Sequence, residues 1–146
     1  MEYEQLKKLI PKDKHDFEPF TELTTLSNEE IKSILPDLIK CIIDPNWPIA
    51  KSVVDILILF PDSVIPLIKE ILNSNDPATN ECGIKHSIIY DLVPRFPVHL
   101  QKRYLLKDIL RIFTSPTEEE VSEGVWGRAK IFLENYYGKN VLEKLR

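Results

Sequence analysis

Glycine is scarce in this chain. Its four copies among 146 residues, Gly83, Gly124, Gly127 and Gly138, each stand alone. No glycine-rich loop is therefore present to cradle a phosphate with successive backbone N–H groups. Cysteine is scarcer. Cys41 and Cys82 form no CxxC pair, and both fall inside helical patterns. The spacing gives no thiolate zinc framework or CxxC redox motif and points to small buried thiols in place of a disulfide. Long apolar runs are missing too. The longest, Val53 to Phe60, is interrupted by Asp55 and falls far short of a membrane span. The start, Met1-Glu2-Tyr3-Glu4-Gln5, lacks the basic opening and apolar run of a signal peptide. These absences predict a cytosolic protein with no membrane partner. Positive charge is in deficit, with a formal net charge of −4, which argues against a general nucleic-acid binder. His86 and His99 belong to no HExxH or Ser–His–Asp pattern, and they read as ordinary surface or half-buried residues.

What the chain does have is a short motif that returns three times. It reads Ile39-Lys40-Cys41-Ile42-Ile43, then Ile68-Lys69-Glu70-Ile71-Leu72, then Leu106-Lys107-Asp108-Ile109-Leu110. Each copy is followed by a loop proline, in Asp44-Pro45, Asp76-Pro77 and Ser115-Pro116, and then by a second apolar segment. Ser33-Ile34-Leu35-Pro36 is echoed by Ser63-Val64-Ile65-Pro66. Helix–loop–helix units recurring every ~30–40 residues are the mark of a stacked helical solenoid. With 43% hydrophobic and 29% charged residues, the chain reads as one soluble domain large enough to bury a continuous core.

Local signals place the elements. A short amphipathic helix is expected from Tyr3 to Ile10, stopped by Pro11, and a second runs through Phe17, Phe20 and Leu23 with Asp16 as its N-cap. Ser27-Asn28-Glu29-Glu30 is a capping box that opens a helix which Pro36 should bend. Ser63 is the expected N-cap of the corresponding helix in the second unit, with Pro66 in its first turn. Pro48 to Phe60 is apolar nearly all round and is expected to be the central, most buried helix. Val98 to Phe113 carries a clean apolar stripe, and Ser115-Pro116-Thr117-Glu118 is expected to cap the following helix through Ser115. Gly138 should end that long segment, before a last short helix.

The stretch from Ile34 to Phe60 resembles a HEAT repeat. A proline stands in the first helix, Asp44-Pro45 in the loop, and Lys51 opens the second helix. The segments Leu9-Ile10-Pro11-Lys12-Asp13-Lys14-His15-Asp16 and Asp44-Pro45-Asn46-Trp47-Pro48-Ile49-Ala50 further resemble a bacterial family of small HEAT-like proteins classed as a domain of unknown function. That likeness extends from Leu6 to Leu110. It implies an all-α fold, a HEAT-like right-handed α-α superhelix of about three helical pairs with an N-terminal cap, and it implies no activity. The expected division is residues 1–26 as the cap, 27–60 as repeat one, 61–97 as repeat two, and 98–146 as repeat three with the C-terminal cap.

Several residues are candidates for a site. Asn46 and Trp47 lie in the first loop, where the indole either anchors a partner or packs across the loop to set the helix angle. The Trp47–Pro48 bond is expected to be trans. The second helices of HEAT units usually line the concave face. The resemblance therefore directs Lys51 and Asp55, Glu81 and Lys85, and Arg128 into that face, where mixed charge suits a protein partner. Arg103, Lys107 and Arg111, with Lys102 and Arg95, form the one basic cluster of note, either a phosphate-tracking stripe or a solvated face. Asp13-Lys14-His15-Asp16 offers two carboxylates and an imidazole, but neighbouring loop residues seldom converge on one ion, and a solvated connector is expected. No cofactor, metal or catalytic residue is expected.

The first functional expectation is a non-enzymatic module that binds a protein through its concave face and the Trp47 loop, in an immunity-type or adaptor role. The alternative is a nucleic-acid-handling protein that uses the basic stripe, with Trp47 and Trp126 as stacking platforms. A third reading has Tyr136 to Arg146 contacting a second copy of the chain.

Overall fold

The computed structural model describes residues 2–13, 15–74 and 81–145, without the side chains of Pro19, Glu81 and Leu145. The Asp76-Pro77 loop lies outside the described residues. The described residues are helical, with no strand among them. Helices α1 (Tyr3–Lys7) and α2 (Glu18–Leu23) precede α3 (Asn28–Ile39), α4 (Pro48–Leu57) and α5 (Pro61–Leu72). Helix α6 (Glu81–Ser87) runs on through a π-turn at Ile88–Leu92 and a 3-10 turn at Val93–Arg95. Helix α7 (Val98–Leu100) passes through a second π-turn, Gln101–Leu105, into α8 (Leu106–Thr114). Helices α9 (Glu118–Ser122), α10 (Val125–Tyr137) and α11 (Lys139–Leu145) complete the chain.

Contacts order these helices into two rows. Helices α3, α5 and α8 neighbour one another in sequence order, and so do α4, the Ile88–Leu92 turn and α10. The rows meet through α3 on α4, α5 on α6, and α8 on α10. Helix α1 packs on α3, where Tyr3 Oη donates to Asp37 Oδ2 at 2.7 Å. A single buried cluster runs between the rows from Leu6 to Leu142. The sequence stripes explain it: Ile34, Leu38, Val53, Leu57, Val64, Ile68, Ile109 and Ile112 recur at helical spacing and are all fully buried.

The capping box of α3 is as expected. Glu30 N–H donates to Ser27 Oγ at 3.2 Å, and Glu30 Oε1 accepts from Ser27 N–H at 3.1 Å. Ser27→Ala is expected to lower stability by ~1 kcal/mol. A denaturant titration showing no change would mean that the exposed cap is matched by water.

Other boundaries differ from expectation, each for a local reason. Helix α5 starts at Pro61 and not at Ser63. Phe60 is its N-cap, so Pro61 takes the first position and Pro66 falls in the helix interior. Asp16 does not cap α2. Phe17 holds that position, and the Asp16 carboxylate accepts from Lys12 N–H at 3.0 Å. Ser115 closes α8, with its N–H on Arg111 O at 2.7 Å. Thr117 caps α9, with Glu120 as its box partner. Helix α4 stops at Leu57, so Leu59 is 70% exposed and outside the buried set. Gly138, at φ +88°, ends α10 in backbone that other residues rarely adopt.

Candidate functional site

The second row begins at Trp47. Asp44 Oδ1 accepts from Asn46 N–H at 2.8 Å, and Asp44 O accepts from Trp47 N–H at 3.0 Å, so the loop is a tight turn. Trp47 is the N-cap of α4 and Pro48 its first residue. The indole is half-buried and packs on the core, while Asn46 is exposed. No peptide bond is cis among the described residues. One turn into α4, Lys51 is exposed, and Asp55 follows on the same face. Asp55 forms an ion pair with Arg95 of the 3-10 turn. Both partners are open to water, so the pair contributes little to stability and its charges stay on the surface.

The row continues at the π-turn Ile88–Leu92, where Tyr90 is 59% exposed. The Arg128 guanidinium of α10 lies over this ring, 4.5 Å from its centre. Arg128 Nε–H donates to His86 Nδ1 at 3.3 Å, and His86 Nε2 is 2.6 Å from Glu123 O. A carbonyl accepts only, so Nε2 carries the proton and Nδ1 presents its lone pair to the arginine. Asp55–Arg95 thus links α4 to the 3-10 turn, and Tyr90–Arg128 links the π-turn to α10. The structure brings Trp47, Lys51, Asp55 and Arg128 onto this row. The side chain of Glu81 lies outside the described residues.

Lys85 is not on the surface. It is 2% exposed, and its ammonium donates to Glu120 Oε2 at 3.0 Å and to Ser74 O at 2.7 Å. Glu120 is fully buried and also takes both terminal nitrogens of Arg111, at 2.6 and 2.9 Å, and Thr117 N–H at 2.9 Å. Arg111 adds a bond to Leu72 O at 2.6 Å. Lys85 and Arg111 therefore close carbonyls at and beyond the end of α5, which carries the negative pole of that helix. Burial pushes the Glu120 carboxyl upward, but the Arg111, Thr117 and Lys85 donors outweigh it and hold the group down to about 2. The cluster has the geometry of a structural clasp across α5, α6, α8 and α9.

The basic stripe is divided by these bonds. Arg111 is committed to Glu120 and Arg95 to Asp55, while Arg103, over the Tyr104 ring, and Lys107 remain exposed. Trp126 stacks on Phe113 at 5.7 Å and donates Nε1–H to Phe113 O at 3.0 Å. That anchors the indole between α8 and α10. In the N-terminal connector, Asp13 Oδ1 accepts from His15 N–H at 2.9 Å. Together with the Asp16 bond, this gives both carboxylates backbone partners. Among the described residues, no three His, Cys, Asp or Glu side chains converge on a metal position. Cys41 and Cys82 are half-buried and unlinked, and burial, with a smaller push from Asp37, raises the Cys41 thiol to about 11. Such a thiol is a poor nucleophile.

A family described as a domain of unknown function, DUF5071, matches residues 9–133. The chain belongs to the DUF5071 family. The family span takes in the whole row from Trp47 to Arg128 and the Glu120 clasp, and α11 lies beyond it. No curated protein matches this DUF5071 chain. No helix among the described residues is long and apolar enough to cross a membrane.

Two residues of the region escaped the sequence reading. Glu120 had a legible signal, because Thr117-x-x-Glu120 is itself a capping box, two residues beyond Ser115-x-x-Glu118. Tyr90 had none. It sits in an apolar run, between the buried Ile89 and Leu92.

Proposed function

We propose that the chain is a non-enzymatic protein-binding module built as a HEAT-like solenoid. The paired rows α3–α5–α8 and α4–(Ile88–Leu92 turn)–α10 would be its two layers, and α1 with α2 its cap. The observation that carries this reading is the second-row surface. Lys51, Asp55, Arg95, Tyr90 and Arg128 come from three successive helical units, stay accessible, and mix both charges with an exposed aromatic ring. A surface of that composition suits a polypeptide, which offers charges of both signs and apolar side chains. Trp47 stands at its edge, where a half-buried indole gives a rigid contact.

The nucleic-acid alternative draws less support. Two of the five basic residues proposed to track a phosphate backbone are already paired with carboxylates, and Trp126 is packed on Phe113. Within the binding reading, an adaptor or immunity-type role in a bacterial cytoplasm remains our proposal.

Trp47→Ala combined with Lys51→Glu is expected to weaken partner binding at least tenfold while leaving helical content unchanged. A pull-down titration against the partner captured from native cells tests this. Unchanged affinity with an intact fold would remove Trp47 and Lys51 from the interface.

A further inference from the structure

We infer that Arg128 is a pre-set anchor for a single carboxylate side chain on an otherwise apolar peptide segment of the partner. This rests on the reading of the second row as a protein-binding face. Three contacts fix the guanidinium before any ligand arrives. His86 Nδ1 takes the Nε–H, the guanidinium carbon lies over the Tyr90 ring 4.5 Å from its centre, and His86 is itself held by its Nε2–H bond to Glu123 O at 2.6 Å. The Nε–H is thereby used. The two terminal nitrogens of Arg128 have no hydrogen-bond partner among the described residues, in contrast to Arg111, whose terminal nitrogens are both on Glu120.

A guanidinium with its Nε–H occupied and its terminal pair open presents a planar fork, and a carboxylate matches it with two parallel bonds. An arginine ordinarily loses side-chain freedom when it binds. Here the histidine and the ring have already imposed that order, so less is lost on association. The surroundings favour a peptide carboxylate over a polyanion. Ile131, one turn further along α10, is 58% exposed and offers an apolar step beside the fork. The exposed Glu118, Glu119 and Glu123 of the neighbouring α9 segment would repel any run of negative charge, so the segment that fits carries one carboxylate among apolar residues.

The test uses a fluorescein-labelled peptide with one glutamate among leucine and serine residues, with the full chain titrated in and binding read by anisotropy. Wild type should bind saturably. Arg128→Gln should bind roughly tenfold more weakly or worse. Arg128→Lys should lose most of the affinity as well, because an ammonium keeps the charge and loses the fork. Arg103→Gln, on the exposed Arg103–Tyr104 pair, should bind as wild type does. In 15N-labelled wild type, the Arg128 Nε–H resonance should move with the same midpoint, a readout that needs no variant to fold.

The anchor is overturned if Arg128→Lys binds like wild type, if Arg103→Gln loses as much as Arg128→Gln, or if the resonance stays still through the titration. A labelled single-stranded oligonucleotide that bound more tightly than the peptide through Arg128 would overturn it in favour of a nucleic acid. Its failure is separable from that of the binding face. If the captured partner is lost by Trp47→Ala/Lys51→Glu and kept at full affinity by Arg128→Gln, the face stands and the anchor falls.

Discussion

Glu120→Ala is expected to destabilise the fold by about 3–5 kcal/mol, a large fraction of the total for a domain of this size. The carboxylate is fully buried and is the counter-ion of a lysine that is itself only 2% exposed. Removing it leaves the Lys85 ammonium in the interior with only the Ser74 carbonyl among its described partners. Arg111 suffers less, since its side chain is 30% exposed and can turn to water. The cost lies in the orphaned charge and not in the worth of the pair. Glu120→Leu combined with Lys85→Met should therefore recover much of the loss. Urea titrations of the single and double variants check both values. A double variant no more stable than Glu120→Ala would place the cost in lost shape and not in charge.

The same carboxylate sets the acid response. Its folded pKa, about 2, lies below the ordinary glutamate value of 4.5. The folded state therefore holds this proton less tightly than the unfolded chain does. The stabilisation it brings is complete above about pH 4.5, and it is lost progressively as the pH falls from there toward 2. Stability measured across this window should fall for wild type. In Glu120→Gln, which cannot ionise at this position, that component of the fall should be missing.

Leu57→Ala is expected to cost about 2–5 kcal/mol. Leu57 is fully buried at the end of α4, the helix that touches both α3 and the Ile88–Leu92 turn, and its loss opens a cavity where the two rows meet. Leu59→Ala, two residues on, should change stability by no more than ~0.5 kcal/mol, because Leu59 is 70% exposed. Thermal and urea unfolding of the two variants give the comparison. Equal losses would mean that Leu59 is covered in solution.

This pair also shows how far the sequence was legible. The near-continuous apolar run showed the burial of α4, where Ile49, Val53, Val54, Ile56 and Leu57 are core residues, and the surrounding repeat marked it as a helix. Nothing in the apolar run marks where the helix stops, so Leu59 read as buried. Ser27 and Gly138 were legible because their signals are local: a capping box spans four residues, and a glycine at positive φ needs no distant partner.

Lys85 was not legible. Its partner lies in α9, beyond α8 in sequence, and no pattern within α6 shows that a lysine there will be buried against a glutamate. Arg111 belongs to the same case. Its four-residue spacing from Lys107 and Arg103 is real, but α9 folds back on it and takes its charge. Asp55 and Lys51 lie four residues apart on one helix, and both are exposed. Residues whose fate depends on a second helix crossing them could not be assigned to a face.

The most direct measurement for the binding reading is amide hydrogen exchange of the native chain with and without its captured partner. Protection gained along the start of α4, the Ile88–Leu92 turn and the first half of α10 is the predicted result. Protection confined to α11, or to the Arg103 and Lys107 side of the first row, with the α4–α10 surface unchanged, would contradict it.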